Sequence, residues 1–563
     1  MKSSKITGSE ALLRTLIAEG VECLFGYPGG QAIPIYDQLY DYKDKLRHVL
    51  VRHEQGATHA AQGYARVSGK VGVALVTSGP GATNTVTGIA DAMLDSTPIV
   101  VISGQVPSPL LGTDAFQEVD VIGITLPITK WAYQVRRAED ITWAVSRAFY
   151  IASTGRPGPV AIDISKDAQV GLLDYVYKPV DFIRSYQPWP PIEPERIQQA
   201  ADLINHAERP FALTGQGVIL SGAEQELAAF LEKGDIPAGS TMLGLSAMPS
   251  DYRLHKGMLG MHGNIGPNRK TSECDVLIAI GMRFDDRVTG NIRTFAKQAK
   301  VIHLDIDLSE MDKNIKTDVK VLGNAKDTLR ELTKLLKPAK HTQWIDSFTA
   351  DENEERAKVI EKEIHPQSGK IRMGEVVRKV SEATGHEAVL VTDVGQNQMM
   401  GVRYFKFSKT RSLVTSGGLG TMGFGLPAAI GAKAGAPDRT VCLFVGDGGI
   451  QMTLQELGTL MQEKMNIKII LLNNHFLGMV RQWQELFFDK RYSNTDMENP
   501  DFVTIAKAYK IEAREVQKRE ELDEAIQEML ARQGAFLLVV NVEKCGMVYP
   551  MVPAGGNVTE MIY

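Results

Sequence analysis

The 563-residue chain has few cysteines, and no two of them are neighbours. Cys23, Cys274, Cys442 and Cys545 form no C-x-x-C pair, which excludes a zinc ribbon and suits a reducing compartment. Long apolar runs are also missing: none nears the ~20 residues that a membrane span needs. The opening segment MKSSKITGSEALLRTLIAEGVECLFGYPGG has two early lysines, but Arg14 and Glu19 break its apolar residues into helical spacing. A signal-peptide core is therefore not expected, and a cytoplasmic location is. Charge of one sign is scarce. The balance of 62 Lys+Arg against 67 Asp+Glu leaves −5, which gives no reason to expect nucleic acid or an anionic membrane as partner.

Glycine, by contrast, is plentiful, and it punctuates apolar runs. KVGVALVTSGPGATNTVTGIADAMLDSTPIVVISG (70–104) reads as strand, glycine turn, helix, strand. RTVCLFVGDGGIQMTLQELGTLMQEKMNIKIILLNN (439–474) repeats that plan, and PFALTGQGVIL, CDVLIAIGMRFD and KVIHLDID repeat its style between them. β-branched runs alternating with helices predict an α/β protein of three doubly wound parallel-sheet domains, with ligands at the carboxyl ends of the strands. A proline-rich stretch (177–196) and a charged stretch (337–374) divide the chain into 1–180, 190–340 and 365–563.

The stretch SLVTSGGLGTMGFGLPAAIGAKAGAP (412–437) holds G-x-G-x-x-G at Gly418, Gly420 and Gly423, the layout of a dinucleotide fingerprint. An acid at the end of the next strand should then bind a ribose hydroxyl. Asp438 precedes that strand, and Asp447, which follows it, is embedded in a second glycine turn, VGDGG. Downstream comes NN at 473–474, with 24 residues between the two motifs. Asp447 and Asn474 thus end adjacent strands of a parallel sheet, where a carboxylate and an amide oxygen converge. Such hard donors with little other charge suit Mg2+ beside a substrate phosphate. A helix beginning near Ile450 would aim free backbone N–H groups at the same anion.

GDG followed at this distance by NN resembles the metal–diphosphate signature of thiamine-diphosphate enzymes, and RHEQGATHAAQGYAR (52–66) resembles the segment that carries their catalytic glutamate. The order of FGYPGG, TSGPGATN, DAFQE, GRPGPV, LGMHG, GMRFDDRVTG, DVGQ, GLGTMGFGLPAAIGA, GMVRQWQ and MVPAGG is similar to that of the acetohydroxyacid (acetolactate) synthase catalytic-subunit family. The resemblance runs from residue 25 to the C-terminus, and RFDDRVTG and GMVRQWQ are its most specific parts.

That resemblance implies a pyrimidine-binding, a central FAD-binding and a diphosphate-binding domain, with thiamine diphosphate, Mg2+ and FAD as cofactors. Thiamine diphosphate would meet Glu54, Gly395, Gln396, Gln398, Gly420, Met422, Gly448, Gly449, Asn474, Gly478 and Met479. Met422 would lie under the bend between the two rings, a place where an unbranched, polarizable chain fills irregular space. Asp447, Asn474 and the carbonyl of Phe476 would hold the metal. FAD would meet Arg156, Gly215, Gly217, Thr241, Met242, Met261, His262, Gly281, Arg283, Asp305 and Asn324. Glu54 would pair with the aminopyrimidine and help remove the proton at C2.

The implied reaction adds pyruvate to C2, releases CO2 and delivers the hydroxyethyl carbanion to pyruvate or 2-ketobutyrate, for valine, leucine and isoleucine synthesis. Arg287 would bind the acceptor carboxylate with its planar fork. Trp483 would favour the extra methyl of 2-ketobutyrate, and Phe116, Gln117, Lys166 and Met261 would line the entrance. Each of these residues taken singly fits packing or solvated charge equally well. The site is expected between subunits of a homodimer or homotetramer, and a separate regulatory subunit is expected too.

Three departures stand out. DVGQNQM has Asn397 where the family commonly has histidine, NNHFLGMV lacks the acids that commonly follow the asparagines, and Asn324 replaces a frequent aspartate. A flavin-dependent pyruvate oxidase is the alternative enzyme, against which Arg287 and Trp483 argue. Glu54, Asp447 and Asn474 argue against a silent binding subunit.

Overall fold

The computed structural model describes residues 5–563, so Met1–Ser4 of the opening segment lie outside the described residues. The chain folds into three six-stranded sheets, every one of them parallel throughout, plus a two-stranded antiparallel ribbon. The first sheet runs Arg47–Leu50, Cys23–Gly26, Gly72–Val76, Ile99–Gln105, Val160–Ser165, Trp131–Val135 across its width. The third runs Leu413–Val414, Val389–Thr392, Val441–Gly446, Lys468–Asn473, Phe536–Asn541, Glu512–Val516. Counted along the chain both orders are 2-1-3-4-6-5, so the likeness in plan between the outer blocks extends to topology.

The middle sheet runs His255–Met258, Ala238–Ser240, Pro210–Thr214, Val276–Ile280, Lys300–Asp305, Val319–Leu322, or 3-2-1-4-5-6. That is the dinucleotide-binding order of doubly wound sheets. The central strands are apolar on both faces because helices cover both faces; VCLFV (441–445) is buried at every residue. In each sheet, the carboxyl ends part where the strand order reverses.

Between the sheets, 177–196 forms only an isolated bridge from Ile183 to Tyr186 before a helix begins at Pro194. The charged stretch becomes the helices Thr342–Asp346, Phe348–Glu355 and Glu361–Ile364, with one π turn over Arg356–Ile360. Glu355 of that segment forms a buried 2.5 Å ion pair with Arg403, which also donates to the carbonyls of His262 and Gly263. One guanidinium thereby fastens the third sheet's helix Gln396–Tyr404 to a loop of the middle domain.

The outer domains of one chain share an apolar core, which includes Phe25, Ala60 and Tyr64 from one and Phe424, Ala428 and Leu443 from the other. Helix Glu54–Ser68 meets helix Gly425–Gly435 there through small residues. A methyl on Gly63 would lie 2.0 Å from the Ala428 carbonyl, and one on Gly431 would lie 1.8 Å from the Ala60 carbonyl. Overpacking of this kind costs about 1–3 kcal/mol even when the backbone can yield. No helix among the described residues is long and apolar enough to cross a membrane.

Candidate active site

The carboxyl ends of the third sheet form a cleft where strand Val389–Thr392 parts from Val441–Gly446. Gly395, Gln396, Met422, Asp447, Gly448, Gly449, Asn474, Phe476, Gly478 and Met479 all line it. Strands Val441–Gly446 and Lys468–Asn473 are paired neighbours, and this brings Asp447 and Asn474 together. The helix expected near Ile450 starts three residues earlier, at Asp447, with Gly446 as its cap; the GDG turn is itself the helix start. Asn474 Oδ1 accepts the Phe476 N–H at 3.2 Å, and Asp447 Oδ2 accepts from Asn499 Nδ2 at 2.6 Å. Burial raises the Asp447 carboxyl above its ordinary range, against hydrogen bonds from Asn499 and nearby backbone. A bound cation would oppose that shift.

No cluster of three or more His, Cys, Asp or Glu side chains suited to a metal occurs among the described residues. One carboxylate with amide and carbonyl oxygens leaves room for phosphate oxygens, and that donor set fits Mg2+. The missing acids after Asn474 are consistent with it, since Phe476 can contribute only its carbonyl. Asn397 also lines the cleft; its Nδ2 donates to the Val394 carbonyl at 3.0 Å, and its Oδ1 is buried without a partner.

A cavity of about 710 Å³ shares Gly395 and Met479 with this cleft and reaches into the middle domain. Its wall includes Arg156, Gly217, Thr241, Met242, His262, Gly281, Arg283, Asp305 and Asn324. Gly215 is not on that wall. It lies against Gly281, and its N–H donates to the Ile280 carbonyl, so it packs the turn that the others line. The His262 Nδ1 is buried without a partner, and burial lowers this imidazole's pKa to about 3. The volume, the reversal point of a 3-2-1-4-5-6 sheet and this orphaned nitrogen fit a flavin dinucleotide.

Gln398, Gly420, Arg287, Met261 and Trp483 line the same cavity. Arg287 Nη1 is 3.7 Å from Met261 Sδ, and its guanidinium lies 5.9 Å from the Trp483 ring centroid. Its pairing with Asp286 is loose, at 3.8 Å between exposed side chains, and contributes little. The fork therefore remains available to an anion.

Glu54, Phe116, Gln117 and Lys166 stand apart, at the carboxyl ends of the first sheet. Every residue lining the diphosphate-type cleft has a number of 373 or above, so none comes from this sheet. Glu54 opens its helix and is half-buried; Asn84 Nδ2 donates to its Oε2 at 2.9 Å. Gly81 leaves space beside the other oxygen, since a methyl there would sit 3.4 Å from Oε1. Lys166 Nζ donates to the Gly30 carbonyl at 3.4 Å. Gln117 sits at φ 63, a strained value for a non-glycine residue, and packs its backbone on Gly79. Phe116 is 83% exposed.

The glycine-rich turn that opened the dinucleotide question is already engaged. The N–H groups of Gly417 and Gly418 donate to Asp95 at 2.8 and 2.7 Å, and Arg66 pairs with the same carboxylate at 2.7 Å. They are not free for a phosphate. Asp91, one helical turn earlier, accepts from Ser416 and Thr421, while its Oδ2 is buried and unpartnered. Burial, then Asp95, raises the Asp91 pKa from 3.8 to about 6. A raised carboxyl stabilises the fold in acid, and that contribution is lost as pH rises through about 6. Asp91→Asn should therefore gain stability over the parent as pH rises from about 4 to about 7, by about 2 kcal/mol at 1.36 kcal/mol per pKa unit. Chemical denaturation at both pH values checks this; an unchanged difference would contradict it.

Sequence reasoning missed Asn84, Asn499, Asp91 and Asp95. It also missed Asp393, fully buried, whose carboxylate accepts the N–H groups of Val394, Gly423 and Gly425 and so shapes the turn below Met422. Asp393 had a signal, because it ends a strand directly before VGQ; the others had none.

Residues 6–124, 197–332 and 393–540 match, in order, the family models described as thiamine pyrophosphate enzyme N-terminal TPP binding domain, central domain and C-terminal TPP binding domain. The chain is 45% identical over 559 residues to the acetolactate synthase large subunit of Lactococcus lactis subsp. lactis (strain IL1403), spanning 99% of this chain and 96% of that one. The acetolactate synthase large subunit of Corynebacterium glutamicum is 45% identical over 579 residues (99% and 90%). The acetolactate synthase isozyme 2 large subunit of Escherichia coli (strain K12) is 42% identical over 565 residues (99% and 99%).

Proposed function

The chain belongs to the family of acetolactate synthase large subunits, thiamine pyrophosphate enzymes in three domains, and we propose that its site joins pyruvate to a second 2-keto acid with loss of CO2. The C1–C2 bond of one pyruvate breaks, CO2 leaves, and C2 bonds to the acceptor's carbonyl carbon, whose oxygen takes up a proton. Pyruvate as acceptor gives 2-acetolactate, and 2-ketobutyrate gives 2-aceto-2-hydroxybutyrate, precursors of the branched-chain amino acids. One observation carries this reading: Arg287, Met261 and Trp483 meet on a cavity wall that continues into the Asp447–Asn474 cleft.

Thiamine diphosphate, when bound, would supply an acidic ring carbon and an electron sink for the decarboxylation. Asp447, Asn474 and the Phe476 carbonyl would hold Mg2+, and Gly395, Gln396, Gly448, Gly449, Gly478 and Met479 would surround the diphosphate. Met422, on the wall of the same cleft, would pack against the cofactor's rings. Glu54 would exchange a proton with the aminopyrimidine, and its half-buried position limits competition from water. Arg287 grips the acceptor carboxylate, and Trp483 bounds the space for the acceptor's alkyl group. Condensation involves no net redox change, so FAD in the middle domain is structural. On this reading residues 1–180 bind the pyrimidine, 190–340 the flavin and 365–563 the diphosphate.

Glu54 and the metal cleft lie on different sheets whose carboxyl ends do not share a lining, so the working site takes Glu54, Phe116, Gln117 and Lys166 from a second copy. The words "large subunit" in the relatives' names support a separate small partner. A cytoplasmic location suits a biosynthetic enzyme with four free thiols.

The test is to incubate the protein with thiamine diphosphate, Mg2+ and FAD, supply pyruvate with and without 2-ketobutyrate, and identify the products. 2-Acetolactate is expected; acetate with reduced flavin would overturn the reading. Trp483→Leu in the same assay should lower the 2-aceto-2-hydroxybutyrate to 2-acetolactate ratio by roughly 10- to 200-fold at most, the worth of one methylene. An unchanged ratio would remove Trp483 from the specificity pocket.

A further inference from the structure

Asn474 is connected to the C-terminal tail by a run of buried side-chain amides. Its Nδ2 donates to Gln396 Oε1 at 3.2 Å. Gln396 Nε2 donates to Gln482 Oε1 at 3.1 Å and to the Gly546 carbonyl at 2.8 Å. Gln482 in turn pairs twice with the tail backbone: its Oε1 accepts the Val548 N–H at 2.8 Å, and its Nε2 donates to the Val548 carbonyl at 3.0 Å. All three side chains are buried, and Gln482 is wholly so.

Backbone groups have fixed polarity, and this gives the run a direction. The Val548 N–H can only meet an oxygen and its carbonyl only an N–H, so the Gln482 amide has one orientation. The oxygen it presents to Gln396, together with the Gly546 carbonyl, requires Nε2 there. Gln396 then shows its oxygen to Asn474, which must answer with Nδ2. The Asn474 oxygen is thus the atom left for a cation; it accepts the Phe476 N–H and keeps a second lone pair. An amide turned the other way would offer the metal an N–H group, which is no ligand.

We propose that Gln482 is a positioning residue for the metal site: held by the Val548 backbone, it acts through Gln396 to keep the Asn474 oxygen toward the bound cation. This deepens the proposed function and rests on its assignment of Asn474 as a ligand. Partners one step removed from a ligand typically change metal affinity by about 10–100-fold when mutated. Breaking the relay also leaves a buried amide unsatisfied.

Two kinds of substitution separate positioning from packing. Gln482→Leu and Gln482→Met fill the space without an acceptor, whereas Gln482→Glu keeps an oxygen for Gln396 and for the Val548 N–H. A packing role predicts that the apolar variants are mild and the buried acid severe. The relay predicts the reverse order.

The experiment titrates Mn2+ by electron paramagnetic resonance into the full-length protein with saturating thiamine diphosphate, using flavin absorbance as a check on the fold. The Kd for Mn2+ is expected to rise about 10–100-fold in Gln482→Leu and Gln482→Met, and less in Gln482→Glu. The methionine variant stands in if the leucine variant does not fold. Parental affinity in the apolar variants, or weaker binding by Gln482→Glu than by both of them, would overturn the relay. Absence of cofactor-dependent Mn2+ binding in the parent would overturn the metal assignment itself, and the relay with it.

Discussion

Glu54→Gln should slow exchange of the cofactor's C2 proton with solvent by about 10²–10⁴-fold, the usual range for a positioned acid–base group. The substitution leaves the shape intact. The side chain keeps its place at the first residue of helix Glu54–Ser68, and an amide oxygen can still accept from Asn84 Nδ2. What is lost is the ability to take and return a proton. Deuterium exchange at C2, quenched in acid and read by proton NMR on the released cofactor, measures the step without a substrate. Exchange at the parental rate would remove Glu54 from the chemistry.

Asp447→Asn should raise the Kd of the protein–thiamine diphosphate complex for Mg2+ on the order of 10²–10³-fold. Asp447 is the only carboxylate among the three groups assigned to the metal, and it is 1% exposed. Removing one partner of a buried charge pair costs about 3–5 kcal/mol, and each 1.4 kcal/mol is a factor of ten. The variant should fold, because an amide oxygen can replace the one that now accepts from Asn499. Fluorescence quenching by the cofactor at graded Mg2+ follows the loss; an unshifted titration would place the cation elsewhere.

The part of the site that was readable in the sequence is the part that local rules govern. Asp447 and Asn474 end neighbouring parallel strands, and strand ends can be placed from apolar runs and glycine alone. The fold class followed in the same way, since three blocks of strand, glycine turn and helix leave few arrangements other than covered parallel sheets, whereas the strand orders came only with the structure. The meeting of Arg287, Met261 and Trp483 had no such rule; family resemblance alone put them in one place. Asp95 gripping Gly417 and Gly418, or Gln482 held by Val548, follows from how distant segments pack. Helix spacing makes Asp91 and Asp95 neighbours, but nothing in their vicinity announces a loop that lies in another domain of the chain.

The contact between helices Glu54–Ser68 and Gly425–Gly435 bears on stoichiometry. By fixing the first sheet against the third within each chain, it would, in the proposed two-copy site, leave one half of a reaction chamber facing each way, so that a twofold partner would close two chambers in a single act. Mixed dimers of Glu54→Gln and Asp447→Asn chains would then carry one chamber with both defects and one with neither, and two inert preparations should become active on reassortment.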